Sequence, residues 1–227
     1  MSFQQATAGA PDPLTYLVRP ADGAPQGGLV LIHGRGASER DLAPLADELD
    51  PARRLVALCP RGPLSLPPGG AHWYQLGGLG TPQAGTFLPT YAQLVSWLDT
   101  VLAEQGIDVA HTMIGGFSQG AVMSWALGLG QGRPTPAGIL ALSGFMPTVD
   151  GLALDLDRPG LRAAIGHGTQ DPVIGVEWGR DARDRLRAAG IEPLYRESQM
   201  PHTIDPRFLD ELRGWVAESV AGGPAAR

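Results

Sequence analysis

Residues 114–120 read Ile-Gly-Gly-Phe-Ser-Gln-Gly, and the reading of the whole chain turns on how this stretch is flanked. Gly116-Phe117-Ser118-Gln119-Gly120 is a Gly-x-Ser-x-Gly pentapeptide. A short run ending at Met113-Ile114 reads as a strand before it, and Ala121 to Leu127 reads as a helix after it. Strand, tight turn and helix are the setting in which this pattern becomes a nucleophile elbow. The glycines answer a problem of space. A strand that reverses sharply into a helix crowds its backbone, and small residues two before and two after the serine let the two elements approach. The hydroxyl is then held at the carboxyl edge of a sheet. It sits over a helix N-terminus, where free N–H groups favour a developing negative charge.

Working outward, apolar strands and helical patterns alternate. Leu14 to Val18 is expected to be an edge strand. Gly28 to Ile32 is a continuous apolar run of the kind found in a central parallel strand. It leads into the Gly-rich loop His33 to Ser38, and then a helix with Leu42, Leu45, Ala46 and Leu49 on one face. Arg54 to Cys59 is a strand, Tyr91 to Gln105 a helix, and Ala137 to Leu142 and Leu161 to Ile165 two further strands. Val176 to Ala189 reads as helix, Pro193 to Glu197 as the last strand, and Pro206 to Val220 as the closing helix. Between the second strand and the second helix, residues 60–89 are rich in Gly and Pro, as functional loops of this length often are. The alternation predicts an α/β fold with a mostly parallel central sheet flanked by helices. A single domain is expected over residues 1–227, with 1–13 and 221–227 loosely ordered. Fewer than about twenty residues separate the strands at 138–142 and 161–165, too short a connection for a large cap domain.

Composition excludes several chemistries. Net charge is −6, which gives no support to nucleic-acid partners, and no apolar run is long enough for membrane insertion. All 17 basic residues are Arg, so a catalytic Lys, a Schiff-base cofactor and a P-loop are ruled out. One cysteine, Cys59, allows neither an internal disulfide nor a multi-Cys metal site. The N-terminus lacks a basic-then-apolar signal pattern, and a cytoplasmic location is expected.

In an open α/β sheet, ligands bind outside the carboxyl ends of the strands. Four loops of interest follow four strands: 33–38, 116–120, 166–172 and 200–204. They bring together a nucleophile, Ser118, a base, His202, and an orienting acid, Asp171, in the chain order Ser, Asp, His. His33 and His167 precede glycines at strand ends and read as structural hydrogen-bonding groups, His72 as a weaker base and His111 as facing away; Asp205 and Asp157 are reserve acids. His33, His167, Asp171 and His202 have no local spacing that supports a metal site, and none is expected. An oxyanion hole needs two backbone donors. Gln119, directly after the nucleophile, and Arg35, in the loop after the first central strand, are the candidates. Trp73, Tyr74, Phe145 and Met146, from loops on either side of the elbow, are expected to line the substrate pocket. The Arg35 side chain has two readings. It either turns outward to pair with Glu39 or Asp41, or faces the substrate and selects esters that carry an acidic group.

With these residues in place, the chain resembles the phospholipase/carboxylesterase branch of the α/β-hydrolases, which includes acyl-protein thioesterases and small bacterial carboxylesterases. The resemblance rests on Leu31-Ile32-His33-Gly34, Trp73-Tyr74, Gly115 to Gly120, Leu142-Ser143-Gly144, His167-Gly168 with Asp171, and His202, between Val30 and about Trp215. It implies Ser118, Asp171 and His202 as a triad, main-chain donors at 35 and 119, and hydrolysis of esters or thioesters without a cofactor. It also implies homodimers, which are common in the family. Arg35 departs from the apolar residue usual there in thioesterase members. The expected activity is that of a serine carboxylesterase on small or short-acyl esters. The alternatives are a thioesterase or lysophospholipase acting on longer chains, and a hydrolase-fold binding protein without turnover.

Overall fold

A computed structural model describes residues 2–7, 13–78 and 80–222. Strands are β1 Gln4–Thr7, β2 Thr15–Arg19, β3 Gly27–Ile32, β4 Leu55–Pro60, β5 Leu64–Leu66, β6 Gly70–His72, β7 Leu76–Gly78, β8 Thr81–Pro82, β9 Thr112–Phe117, β10 Gly138–Leu142, β11 Ala163–Gly168 and β12 Leu194–Ser198. Helices are α1 Ala43–Leu49, α2 Ala84–Gln105, α3 Gln119–Leu129, α4 Val176–Ala188 and α5 Pro206–Gly222. Eight strands form one sheet in the order β1-β2-β4-β3-β9-β10-β11-β12. From β4 to β12 every pairing is parallel, and β2 and β1 join antiparallel at one side. This is an α/β-hydrolase fold.

The sheet is covered on both faces, and the alternation of side chains shows it. Leu29 and Leu31 of β3 pack with α1 and α5, while Val30 and Ile32 pack with α2 and α3. Each such Leu or Ile contributes about 1.5–3 kcal/mol when fully buried. Every residue of α3 is buried, so this helix has no polar face, as befits one wrapped by core on all sides.

Three expectations need correction. The strand at 15–19 is not an edge strand. Residues 4–7, expected to be loosely ordered, pair antiparallel with it and take the edge. At the other end α5 runs through residues 221–222; of the two termini expected to be loosely ordered, residues 1, 8–12 and 223–227 lie outside the described residues. The second helix begins at Ala84, well before Tyr91, although Pro89 lies inside it. Pro removes one intrahelical bond, but Phe87 is fully buried against Tyr74, with ring centroids 5.2 Å apart, and this tertiary contact holds the extra turns. The Gly- and Pro-rich segment is two short hairpins, β5-β6 and β7-β8, joined by an irregular stretch.

The glycines of the elbow do what the crowding argument requires. A methyl at Gly120 would overlap the Ile32 carbonyl, and one at Gly116 would overlap the backbone of Gly120. By contrast, a methyl at Gly214 in α5 meets nothing within 4 Å. Gly120→Ala should therefore destabilise the protein by about 2–4 kcal/mol through forced overpacking. Gly214→Ala should stabilise it by about 0.4–1 kcal/mol, by reducing the freedom of the unfolded chain. Urea denaturation of the two variants, read by circular dichroism, checks both signs.

Candidate active site

Ser118 connects β9 to α3 with φ 55° and ψ −121°, a backbone conformation rarely adopted by residues with a side chain. The strain is held by its surroundings. The Ser118 amide donates to the Leu142 carbonyl at 2.9 Å, and Val122 N–H donates to the Ser118 carbonyl at 3.2 Å. The Phe117 ring lies 4.7 Å from the His202 ring, which brings the elbow and the loop after β12 together.

His202 and Asp171 form a close pair, with His202 Nδ1 2.6 Å from Asp171 Oδ2. Asp171 lies three residues past the end of β11. Its other oxygen, Oδ1, accepts from the amides of Val173 at 2.8 Å and Ile174 at 2.9 Å. This turn leaves the Asp171 side chain with no exposed surface, its Oδ2 hydrogen-bonded to His202 and 3.7 Å from His167 Nε2. Burial pushes the carboxyl up, but the hydrogen bonds from His202, Ile174 and Val173 outweigh it, and its pKa lies below the ordinary aspartate value. His202 Nδ1 is thus the proton donor to the carboxylate, and Nε2 is the nitrogen left for other chemistry.

On the opposite side of the elbow, the loop after β3 rides on the serine. A Cβ at Gly34 would stand 3.3 Å from Ser118 Cβ. Arg35 follows, and its side chain is exposed. Neither acid proposed as its partner is free. Glu39 pairs with Arg61 at 2.9 Å and Arg40 at 3.7 Å, and Asp41 accepts from the Ser38 amide. Among the described residues Arg35 takes part in no salt bridge.

Gln119 does more than offer a main-chain donor. Its side-chain Oε1 accepts from Trp73 N–H at 3.1 Å and its Nε2 donates to the Tyr74 carbonyl at 3.0 Å. One amide thereby satisfies both main-chain groups of a segment 45 residues away. A buried polar side chain must find such partners, and a Gln opening a predominantly apolar helix is the sequence signal for them. Trp73 and Tyr74 are 0% and 1% exposed, and Phe145 and Met146 are 4% and 2% exposed. These four back the site from within the core, so the expectation that they face the substrate is corrected. The large apolar side chains that are exposed among the described residues are Leu76 and Val173, at 49% and 52%. Leu76 opens the β7-β8 hairpin, which packs on Trp178 of α4 through Gly80; Val173 lies two residues beyond Asp171. Sequence patterning alone had singled out none of Leu76, Val173 and Trp178, because nothing local distinguishes an exposed Leu from a buried one.

Of the remaining polar candidates, His33 and His167 are buried and bonded to main-chain carbonyls, as expected. His72 bonds to the Tyr74 carbonyl, and Asp205 accepts from Ser198 and from the Arg207 amide. Among the described residues no group of three or more His, Cys, Asp or Glu side chains could hold a metal ion, and no helix is long and apolar enough to cross a membrane.

Residues 15–219 match the model of the phospholipase/carboxylesterase family. The chain belongs to this family. Acyl-protein thioesterase 1 of Yarrowia lipolytica is 28% identical over 221 residues, covering 88% of this chain and 95% of the relative. The carboxylesterase of Bacillus cereus superposes with a TM-score of 0.79 at 20% identity, over 91% of this chain and 94% of that one. Esterase PE8 superposes with a TM-score of 0.77 at 25% identity, over 96% and 99%. Family membership makes the protein a hydrolase of the esterase and thioesterase class.

The low pKa of Asp171 has a consequence for stability. A carboxyl whose pKa is depressed in the folded state contributes stability above its unfolded value, and that contribution is lost as pH falls through the folded value. Wild type and Asp171→Asn should therefore differ by a constant stability above about pH 5, and the difference should move in favour of the Asn variant between about pH 4 and 2. Urea melts of both proteins across that range check the direction.

Proposed function

We propose that the protein is a serine carboxylesterase acting on small or short-acyl esters, with Ser118 as nucleophile, His202 as general base and Asp171 as the acid that orients it. The observation that carries this reading is the His202–Asp171 pair at 2.6 Å beside a serine held at positive φ in a glycine-flanked elbow. His202 Nε2 takes the Ser118 hydroxyl proton as Oγ attacks the ester carbonyl. The resulting oxyanion accepts hydrogen bonds from the main-chain N–H groups of Arg35 and Gln119. Collapse breaks the bond to the leaving oxygen, which takes the proton from His202 and departs as the alcohol. Water then attacks the acyl-Ser118 ester, its proton passing to His202 and on to Ser118 Oγ, which releases the acid. Nucleophile, base and donors all come from the chain, so the mechanism needs no cofactor.

Support for a small acyl group comes from the short β10–β11 connection, which leaves no room for a cap domain, and from the sealing of Trp73, Tyr74, Phe145 and Met146 into the core. A second reading, an acyl thioesterase, is favoured by the 28% identity to a thioesterase along nearly its whole length, and by the exposed apolar Leu76 and Val173. The chemistry is common to both readings, and they differ in the leaving atom and the chain accommodated.

Ser118→Ala and His202→Ala are each expected to lower kcat by about 10⁴–10⁶, with the double variant little worse, because such residues act as a unit. Near-normal turnover by Ser118→Ala would exclude the mechanism, and loss of fluorophosphonate labelling in that variant would identify the nucleophile directly. A chain-length series of p-nitrophenyl esters and acyl thioesters separates the two substrate readings. Carboxylesterase action predicts the highest kcat/KM for acetyl to butyryl oxygen esters.

Arg35 adds a charge prediction. Its guanidinium is exposed and without an acidic partner among the described residues, next to the glycine that rides on Ser118. Arg35→Leu keeps the main-chain donor and removes the charge. For an ester carrying a carboxylate, kcat/KM should fall about ten-fold or more, about 1.4 kcal/mol, while a neutral ester of equal length changes little. Equal effects on both esters would show that Arg35 does not read substrate charge.

A further inference from the structure

His33 is buried, and both of its ring nitrogens are engaged. The Gly62 amide stands 3.0 Å from Nε2, and the Gly34 carbonyl stands 2.7 Å from Nδ1. A main-chain N–H can only donate, so Nε2 must be the bare nitrogen and accept. The neutral imidazole then carries its single proton on Nδ1 and donates it to the Gly34 oxygen. Burial, helped by the charge of Arg61 and opposed by the Gly34 carbonyl, Asp41 and Glu39, holds the pKa of His33 below its ordinary value, which keeps the ring in this neutral form.

The Gly34 carbonyl and the Arg35 N–H belong to one planar trans peptide, so they point in opposite directions. Fixing the carbonyl on the imidazole therefore fixes where the Arg35 N–H points. The loop is held at other places as well. Trp73 Nε1 donates to the His33 carbonyl at 2.8 Å, Gly36 N–H to the Ala71 carbonyl at 2.8 Å, and Ala71 N–H to the Ala37 carbonyl at 2.8 Å. These bonds leave the Gly34–Arg35 peptide itself untouched; its carbonyl accepts from Ala37 N–H at 3.3 Å and, in the shorter contact, from the imidazole at 2.7 Å, so the ring is the closer of the two groups that set its plane. A carbonyl that accepts a hydrogen bond also polarises its amide and makes the N–H a stronger donor.

We propose that His33 is a positioning residue of the oxyanion hole: anchored by the Gly62 amide, its Nδ1–H grips the Gly34 carbonyl and aims the Arg35 N–H, on the far side of the same peptide, at the substrate carbonyl over Ser118. This rests on the serine-hydrolase reading above. His33 touches no reacting atom. Its contribution comes when negative charge develops on the substrate oxygen, so it bears on kcat rather than KM.

Two substitutions divide the imidazole in half. An Asn amide nitrogen reaches about the position of Nδ1 and can still donate to the Gly34 carbonyl, but leaves the Gly62 amide unpaired. A Gln side chain reaches about the position of Nε2 and can accept from Gly62, but leaves the Gly34 carbonyl with only the longer bond from Ala37 N–H. On p-nitrophenyl acetate, His33→Asn should keep kcat within about three-fold of wild type, while His33→Gln should lose about 10–100-fold in kcat at nearly constant KM. Inhibition by a trifluoromethyl ketone, whose adduct with a serine carries the oxyanion, should weaken in parallel with kcat. Thermal melts run alongside. Activity that follows melting temperature across the two variants, or equal activity in both, would overturn the relay. Nitrogen NMR of the wild-type protein, labelled at histidine, gives an independent reading should either variant fold poorly: a His33 ring protonated on Nε2 would also overturn it. Ser118→Ala separates this failure from failure of the underlying reading. A dead Ser118→Ala with indifferent His33 variants removes only the relay, whereas an active Ser118→Ala removes the serine mechanism and the relay with it.

Discussion

The contact on which the site depends is the approach of α3 to the end of β3, where Gly120 lies against the Ile32 carbonyl with no room for a methyl group. That closeness brings the loop after β3 over the first turn of α3, so that Gly34 meets Ser118 while Gln119 begins the helix. On the proposed mechanism, the two main-chain donors, from segments more than eighty residues apart, face one oxygen beside a helix terminus whose dipole favours negative charge. The serine accepts a strained backbone as part of the same arrangement. The strain persists because its amide is bonded to β10 and its carbonyl to α3.

The long excursion between β4 and α2 is tied to this contact by polar groups rather than by a sheet of its own. Gln119 bridges Trp73 and Tyr74, Trp73 donates to His33, and Ala71 straps residues 36 and 37. These bonds tie the excursion to the elbow through Gln119 and to the loop after β3 through Trp73 and Ala71, so it forms a wall beside the serine. The burial of Trp73 and Tyr74 follows from that role. Their ring surfaces are consumed in holding the wall to the core.

The acidic side of the site meets a different constraint. A buried carboxylate is costly unless it is paired and hydrogen-bonded. Asp171 meets that cost with two turn amides and the His202 ring, with His167 Nε2 3.7 Å away, which leaves a charge that is stable at neutral pH and hydrogen-bonded to His202 Nδ1. On the proposed mechanism, the reacting centre combines a fixed negative charge on one side of the imidazole with uncharged main-chain donors on the other side of the serine.

Much of this was legible in the sequence. Continuous apolar runs marked the central strands, since a strand covered on both faces has no polar alternation to display. The glycines around Ser118 announced a steric requirement that holds at any such turn. The positions of Ser118, Asp171 and His202 after the ends of three parallel strands placed them on one sheet edge by strand direction alone. What the tertiary structure decided was which atoms meet. Whether Trp73 faces substrate or core, whether Phe87 can carry a helix past Pro89, whether Arg35 finds an acid, and which face of Gln119 or His33 is used all depend on partners tens of residues away. Local pattern fixes the direction in which a strand or helix presents its side chains; it carries no information about which neighbour has already been taken by another bond, and at this site that occupancy sets each role.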